Sequence, residues 1–478
     1  MSFVSIEFLV FFIVFLAIYF RLPYRPRILF TLAASYFFYI YWNASYIFLI
    51  VFTSAVDYVA ALQMDKLPVE DKRGRRRWLW FSIVANIGTL FIFKYFNFFA
   101  DSVYNVLAAL GLSVSPVTLD VLLPVGISFY TFQSLAYSID VYRGNLKAER
   151  DLARFLTFVA FFPQLVAGPI ERATHLLPQF SILHRFDHAR TVEGLRFILW
   201  GAFKKLVIAD RLAIYVNTVY NDAGAYTGLP LIVATVFFAF QIYCDFSGYS
   251  DMAIGTARIL GFDLMDNFRQ PYLSRSVREF WRRWHISLST WFRDYVYIPL
   301  GGNRRGFGRM LANLFVVFVI SGLWHGAKWT FLLWGAAHGA LIVIESIGAR
   351  RGWGKGIPVA VRWGGTFAFV CLAWVFFRAN TVEDAFYILG HMFNLSAGTF
   401  GLAEPFSGAV LGPMNEFLLS WALIGVLLAY DFADNAGGRL NTLLHTRMRW
   451  AVYYALGFGV VFSFIYGLTA QTFIYFQF

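Results

Sequence analysis

The sequence predicts an all-α fold, a polytopic integral membrane bundle of about eleven transmembrane helices around a tunnel, with re-entrant or interfacial helices. Three observations carry this. Of the 478 residues, 59% are hydrophobic and 14% charged, against about 45–50% and about 25% in an ordinary soluble domain. A soluble chain of this size must clothe its exterior in polar groups, so this much apolar surface requires lipid. Apolar runs close to the ~20 residues that cross a ~30 Å hydrocarbon core recur along the whole chain. Basic residues, in excess over acidic ones by 40 to 28, collect between those runs, as they do in cytoplasmic loops. The net charge of +12 is therefore a topology signal, and no nucleic-acid partner is expected.

The first apolar run, near 3–20, has no basic residue before it and Arg21, Arg25 and Arg27 after it. That order is the reverse of a cleavable leader and predicts a retained span with the N-terminus outside. Further runs lie near 28–48, 45–64, 78–99, 119–141, 153–170, 194–216, 229–258, 311–325, 329–347, 360–377, 416–432 and 451–469. Adjacent runs such as the second and third read as pieces of a broken or re-entrant helix, which brings the count to about eleven. Pro124 and Gly126 also mark a broken helix, tolerated in lipid only against protein or a water-filled cavity. Asp65 to Arg77, with six basic residues against three acids, reads as a cytoplasmic loop, and Arg350 to Lys355 as a second. With no linker or soluble domain visible, residues 1–478 read as one membrane-embedded unit.

One segment, about 267–310, is too polar to span and too aromatic for a free loop. Arg278, Arg282, His285, Ser289 and Arg293 follow spacings of 4, 3, 4 and 4, which places them on one face of a helix. Trp281, Trp284, Leu288, Trp291 and Tyr295 line another. An amphipathic helix lying among lipid headgroups explains the arginines and tryptophans. Anchoring alone does not call for His285.

Ionisable groups inside apolar runs point to function. His325 ends the run that leads into S-G-L-W-H-G, and imidazole exchanges protons near neutral pH. Gly322 and Gly326 would let a ligand approach the backbone closely. His325 and His338 are 13 residues apart, about 220° on a continuous helix, so they face apart. His184 and His188 lie in a polar loop, and Cys244 and Cys371 are the only cysteines, so no metal site, disulfide framework or iron–sulfur site is expected. Gln241, Asp245, Ser247, Ser250 and Asp251 form a second polar constellation. It reads either as an ion pathway or as hydrogen bonding at a helix broken around Gly248. The chain closes on F-I-Y-F-Q-F, which caps the last span at the interface or inserts into the tunnel mouth and offers the Tyr475 phenol as a nucleophile.

With His285 and His325 in view, the chain resembles the membrane-bound O-acyltransferase family, in its bacterial branch that acetylates exported glycans such as alginate, peptidoglycan and cellulose. The resemblance rests on L-L-P-V-G-I-S-F-Y-T-F-Q-S at 122–134, F-F-P-Q-L-V-A-G-P-I at 161–170 and D-F-S-G-Y-S-D-M-A-I-G at 245–255. E-F-W-R-R-W-H-I-S-L-S-T-W at 279–291, Y-I-P-L-G-G-N-R at 297–304, S-G-L-W-H-G at 321–326 and the aromatic end at 473–478 extend it over most of the chain. Residues 380–415 carry no matching motif.

The resemblance implies an O-acetyltransferase in which His325 is the catalytic histidine and His285 its companion, the two meeting mid-tunnel. It implies acetyl-CoA as donor, its phosphates drawn to Arg282, Arg283, Arg304 and Arg305 at the cytoplasmic mouth. Asp245, Ser247, Asp251 and Trp324 would line the tunnel, and Tyr475 would receive the acetyl group. A separate extracytoplasmic partner of the SGNH type would finish the transfer to the glycan, with the chain in the bacterial inner membrane. An ion-coupled transporter using Asp245 and Asp251, and a non-catalytic scaffold of a polysaccharide-synthesis complex, are the competing classes.

Overall fold

The computed structural model describes residues 1–112, 115–166, 168–354, 356–395, 401–409, 411–436, 449–465 and 473–474, and all regular structure among them is helical. Its contacts divide into two compact units, residues 1–196 with 253–265, and residues 197–252 with 266–478.

The first unit opens with α1 (Ile6–Tyr19), α2 (Tyr24–Ile40), α3 (Ile47–Lys66) and α4 (Lys72–Leu90). A π-helical turn at Phe91–Tyr95 carries α4 on into α5 (Phe96–Ala109). Then follow α6 (Ile127–Arg143), α7 (Leu152–Ala160) and the single turn α8 (Ala173–Leu176). A buried carboxylate knots three of these together. Asp57 of α3 accepts from Ser82 and from Asn86 (2.9 and 3.0 Å) of α4 and from Ser138 of α6 (3.0 Å). An acid at membrane depth has to be satisfied from inside the protein, and here hydroxyl and amide donors do it.

The basic stretch expected as a loop over Asp65 to Arg77 is a loop only between Lys66 and Lys72. Arg75 lies inside α4, buried, and donates to the carbonyls of Met64 (2.8 Å), Val141 (2.6 Å) and Tyr142 (3.1 Å). A guanidinium is well matched to unsatisfied carbonyls at the ends of helices. The sequence could not separate this cation from its exposed neighbours. Two expected spans are helical over only part of their length. The run 119–141 is helical only from Ile127, after Gly126 at φ 77°, and the run 153–170 only through Ala160.

α9 (His188–Ala202) passes through a π-helical segment, Phe203–Ala209, into α10 (Asp210–Asn221), and α11 (Leu229–Leu260) is unbroken for 32 residues. The second unit adds α12 (Val277–Arg283), α13 (Ile286–Phe292), α14 (Phe307–His325), α15 (Trp329–Arg351), α16 (Val359–Arg378), α17 (Val382–His391), α18 (Pro413–Ala436) and α19 (Arg449–Ile465). Among the described residues, 7 helices are long and apolar enough to cross a membrane, and Ile6–Tyr19 and Ala451–Ser463 are shorter apolar helices. Large apolar side chains such as Ile6, Phe48 and Val84 are exposed on these helices, as lipid-facing surfaces require.

Glycines set the closest helix contacts of the second unit. A Cβ on Gly201 would lie 2.5 Å from the Gly248 carbonyl oxygen, and one on Gly248 would lie 2.7 Å from that of Gly201. Gly248 is thus a crossing point on an unbroken α11, not a helix break. Gly322 of α14 and Gly335 of α15 do the same, with Cβ atoms that would meet Phe331 O at 2.3 Å and Phe318 O at 2.4 Å. Lipid supplies no hydrophobic drive between helices, so such small-residue contacts are what packs them. We expect Gly322→Ala to lower the unfolding midpoint in detergent, by overpacking worth about 1–3 kcal/mol. Gly364→Ala in α16, with nothing within 4 Å of its Cβ, should leave the midpoint unchanged or slightly raised. Equal midpoints for the two variants, followed by tryptophan fluorescence, would refute the packing role.

Candidate active site

The segment expected as one amphipathic helix is two helices. α12 stops at Arg283, α13 starts at Ile286, and His285 between them has φ 43° and ψ 54°. Left-handed backbone is uncommon for a residue with a side chain, and such strain collects at functional sites. Asn267 holds the break open. Its carbonyl accepts from Ile286 N (3.0 Å), its side-chain oxygen accepts from Ser287 Oγ (2.9 Å), and its amide donates to Ser250 Oγ (3.1 Å). The kink removes His285 from the arginine face, where the 3.6-residue period had put it, and buries it completely.

His285 and His325 come together, with ring centroids 6.4 Å apart. His325 is the last residue of α14 and is buried among aromatic rings: Trp324 at 5.0 Å, Trp334 at 4.9 Å and Phe377 at 5.4 Å. Trp324 also lies 6.0 Å from His285, so this expected lining residue stands beside both histidines. Gly322 and Gly326 do not open the backbone to a ligand. Gly322 admits α15, and a Cβ on Gly326 would lie 2.1 Å from the Phe331 ring. His338 sits on α15, a different helix from His325, so the 220° argument does not apply. It reaches the same cluster through Trp334 (5.0 Å) and accepts from Trp281 Nε1 at 3.2 Å.

The carboxylates of α11 have partners that sequence reasoning missed. Lys205 pairs with Asp245 at 2.6 Å and with Asp210 at 2.8 Å, all three buried. Lys204 pairs with Asp251 at 2.6 Å and donates to Ser247 Oγ at 2.8 Å. Two lysines inside the apolar run 194–216 were the available signal, because intramembrane charges need partners. Asp245, Ser247 and Asp251 are therefore partnered by lysines where α11 crosses the segment Phe203–Ala209. Asp245 has a further partner, the backbone N–H of Ile474 at 2.7 Å. Phe473 is buried against Tyr249 (4.3 Å) and Phe246 (5.8 Å), and Phe246 lies 4.6 Å from His285. Tyr475 itself lies outside the described residues.

A cavity of about 640 Å³ runs along α12, α13 and α14. Arg278, Arg282 and Arg293 line it with Tyr297 and Asn303, while Leu314, Val317 and Phe318 make an apolar wall that reaches Ser321. Of the four arginines expected at the mouth, only Arg282 faces this cavity. Arg283 pairs with Glu279 (2.8 Å) and donates to Asn435 Oδ1 (2.9 Å), and Arg304 and Arg305 are exposed in the turn before α14. Among the described residues no group of three or more His, Cys, Asp or Glu could hold a metal ion.

Residues 149–381 match the family described as MBOAT, membrane-bound O-acyltransferase. Over 426 residues the chain is 42% identical to the alginate O-acetylase AlgI, so named with the qualifier "Probable", of Pseudomonas putida, spanning 88% of this chain and 86% of that protein. It is 32% identical over 516 residues to the peptidoglycan O-acetyltransferase of Helicobacter pylori, 100% of this chain and 96% of the relative. The teichoic acid D-alanyltransferase of Streptococcus thermophilus is 30% identical over 270 residues, 53% of this chain and 65% of that one. A multi-pass helical chain with this histidine pair and these relatives belongs to the membrane-bound O-acyltransferase family. Within it, the chain is an O-acetyltransferase, the class of its near-full-length relatives.

Removing one partner of a buried ion pair costs about 3–5 kcal/mol, because the other charge is left behind. Lys205→Met, which strands Asp245 and Asp210, should destabilise on that scale. Asp245→Leu, which leaves Lys205 with Asp210, should cost less, and the double variant should lose less than their sum. Additive losses in detergent unfolding would mean that the pair does not hold the two helices together.

Proposed function

We propose that the chain takes an acetyl group from cytoplasmic acetyl-CoA and passes it through the membrane towards an extracytoplasmic glycan. The observation that carries this is the cavity beside α14. It begins among Arg278, Arg282 and Arg293 and ends at Ser321, one helical turn before His325. Guanidinium groups suit the phosphates of a polyanionic donor, and the apolar wall suits its neutral thioester arm. Coenzyme A then stays on one side while a small uncharged acetyl group crosses. Arg350 stacks on Phe307 at the same end of the α14–α15 hairpin (4.5 Å), and this concentration of basic residues supports that end as cytoplasmic. We place the chain in the inner membrane with its N-terminus outside.

In this mechanism His325 takes the proton from an attacking hydroxyl, the oxygen adds to the thioester carbonyl, and the thiolate leaves with the proton. His285 donates a hydrogen bond to the carbonyl oxygen as negative charge develops there. The attacking hydroxyl is that of Tyr475. Support comes from the neighbouring residues: Ile474 is tied to Asp245, and Phe473 is buried beside Phe246, which touches His285. An aryl acetate is activated enough to pass its acetyl group to a partner of the SGNH type, which acetylates the glycan. The pairing of Asp245, Ser247 and Asp251 with lysines favours this reading over ion-coupled transport.

Labelled acetyl-CoA tests the reading. Wild type should release coenzyme A, and His325→Ala should lose about 10²–10⁴-fold in rate with little change in yield. Arg282→Gln or Arg293→Gln should raise the KM for acetyl-CoA more than they lower kcat. Near-normal turnover in His325→Ala would return that ring to a packing role.

His285→Asn should keep measurable turnover, since Asn tolerates left-handed backbone and still donates a hydrogen bond. His285→Leu, which cannot donate a hydrogen bond, should lose it. Equal loss of rate in both would point to proton transfer by His285. Tyr475→Phe should bind acetyl-CoA normally yet show no acetyl-tyrosine by mass spectrometry and no glycan acetylation. Wild-type acetylation in that variant would reduce Tyr475 to an interfacial anchor.

A further inference from the structure

A second cavity, of about 220 Å³, lies at the turn of the α14–α15 hairpin, and its wall is almost wholly polar. Arg378, the last residue of α16, lines it and is buried. Its guanidinium donates to Asn217 Oδ1 at 2.8 Å and Asn221 Oδ1 at 3.1 Å, which α10 presents one turn apart, and to Asn380 Oδ1 at 3.5 Å. Amide oxygens orient a guanidinium but carry no net charge to neutralise it. Lys328 also lines the cavity and is exposed. Among the described residues neither cation forms an ion pair with a carboxylate. A third positive feature is a helix end. Lys328 is the N-cap of α15 and no side chain caps that end, while Phe331 of its first turn lines the cavity. The positive end of a 23-residue helix therefore opens where the two cations stand.

These features select among anions. Phe331 and Phe377 are both buried and offer almost no apolar surface, so a ring or an acyl chain has nothing to lie on. A carboxylate has two oxygens in one plane, which a single guanidinium satisfies. A phosphate group turns its oxygens in tetrahedral directions and suits donors that arrive from α10, α16 and the start of α15. The depth of the cavity also fits. From Phe307 to His325, α14 rises about 27 Å, close to the ~30 Å of a hydrocarbon core. The hairpin turn then lies among lipid headgroups, and Trp329, next to Lys328, is exposed there, as tryptophan commonly is at that boundary.

We propose that the cavity is a binding site for a phosphate group, held between Arg378 and Lys328 and supplied by the headgroup of an anionic phospholipid whose acyl chains stay outside. The bound phosphate bridges the ends of α10 and α16 to the start of α15. Phe377, next to Arg378, touches Phe331 at 4.9 Å and His325 at 5.4 Å, so the lipid braces the wall of the histidine pair from behind. The site does not depend on which acyl group or acceptor the chain uses.

Equilibrium binding to the purified full chain in a phosphate-free detergent tests it, with dioctanoyl phosphatidylglycerol, dioctanoylglycerol, inorganic phosphate and acetate as probes. The phospholipid should bind at least about tenfold more tightly than dioctanoylglycerol, and Lys328→Gln should remove most of that preference. Asn217→Asp sets a carboxylate against Arg378 at nearly unchanged shape, and should abolish the preference by supplying the counter-ion from within. Because that exchange is made beside a buried charge, the exposed variant Lys328→Gln decides the question. Inorganic phosphate bound more weakly than the phospholipid assigns the headgroup as the source, and inorganic phosphate bound as tightly supports the site with the free anion as its ligand. Phosphate-bearing probes that bind no better than dioctanoylglycerol or acetate would overturn the proposal. So would a preference for the phospholipid that Lys328→Gln leaves intact.

Discussion

The interaction on which the site depends most is the buried pairing of Lys205 with Asp210 and Asp245. A lysine carried to membrane depth must find a carboxylate there, because neither lipid nor water will neutralise it. Satisfying Lys205 draws the π-helical segment Phe203–Ala209 against α11, and Gly201 and Gly248 let the two backbones meet. That contact fixes the register of α11, and with it the position of Phe246 against His285. The same Asp245 accepts the Ile474 N–H, so one carboxylate ties a lysine, a helix crossing and the end of the chain to the histidine pair.

The second requirement, on the proposed reading, is a barrier that passes an acetyl group and nothing larger. A helix of α14's length spans the hydrocarbon core, and His325 at its end stands where the protein is packed with indole and phenyl rings. Water excluded from such a site strengthens every charge interaction made during acyl transfer. Glycines at 322, 326 and 335 make the packing possible by removing side chains where α14 and α15 touch. Tight packing around the ring and a roomy arginine-lined cavity one turn away are therefore two products of the same hairpin.

Chemistry that is local in sequence was legible in it. Membrane class followed from composition, because apolar content has to be buried in something. His325 stood out as an ionisable group ending an apolar run, and His285 as a residue that lipid anchoring did not require. The polar character of residues 267–310 and the odd aromatic end at 473–478 were visible as departures from their surroundings.

Partnership was not legible. Helical periodicity put His285 on the arginine face, and only the Asn267-braced break at φ 43° turned it into the core. Lys204 and Lys205 lie in one apolar run while Asp251 and Asp245 lie in another, with no local pattern to join them. Arg75 looked like its exposed neighbours until α3 and α6 offered it carbonyls, and Arg282 was sorted from Arg283 only by which side of α12 met the cavity. By itself the sequence determined the solvent, most of the apolar helices and which ionisable side chains sit in or beside them, since these depend on the residues and their immediate spacing. Which charges pair, which glycines face a helix and which arginines face the cavity were decided by the tertiary structure, because each depends on what a distant segment brings close.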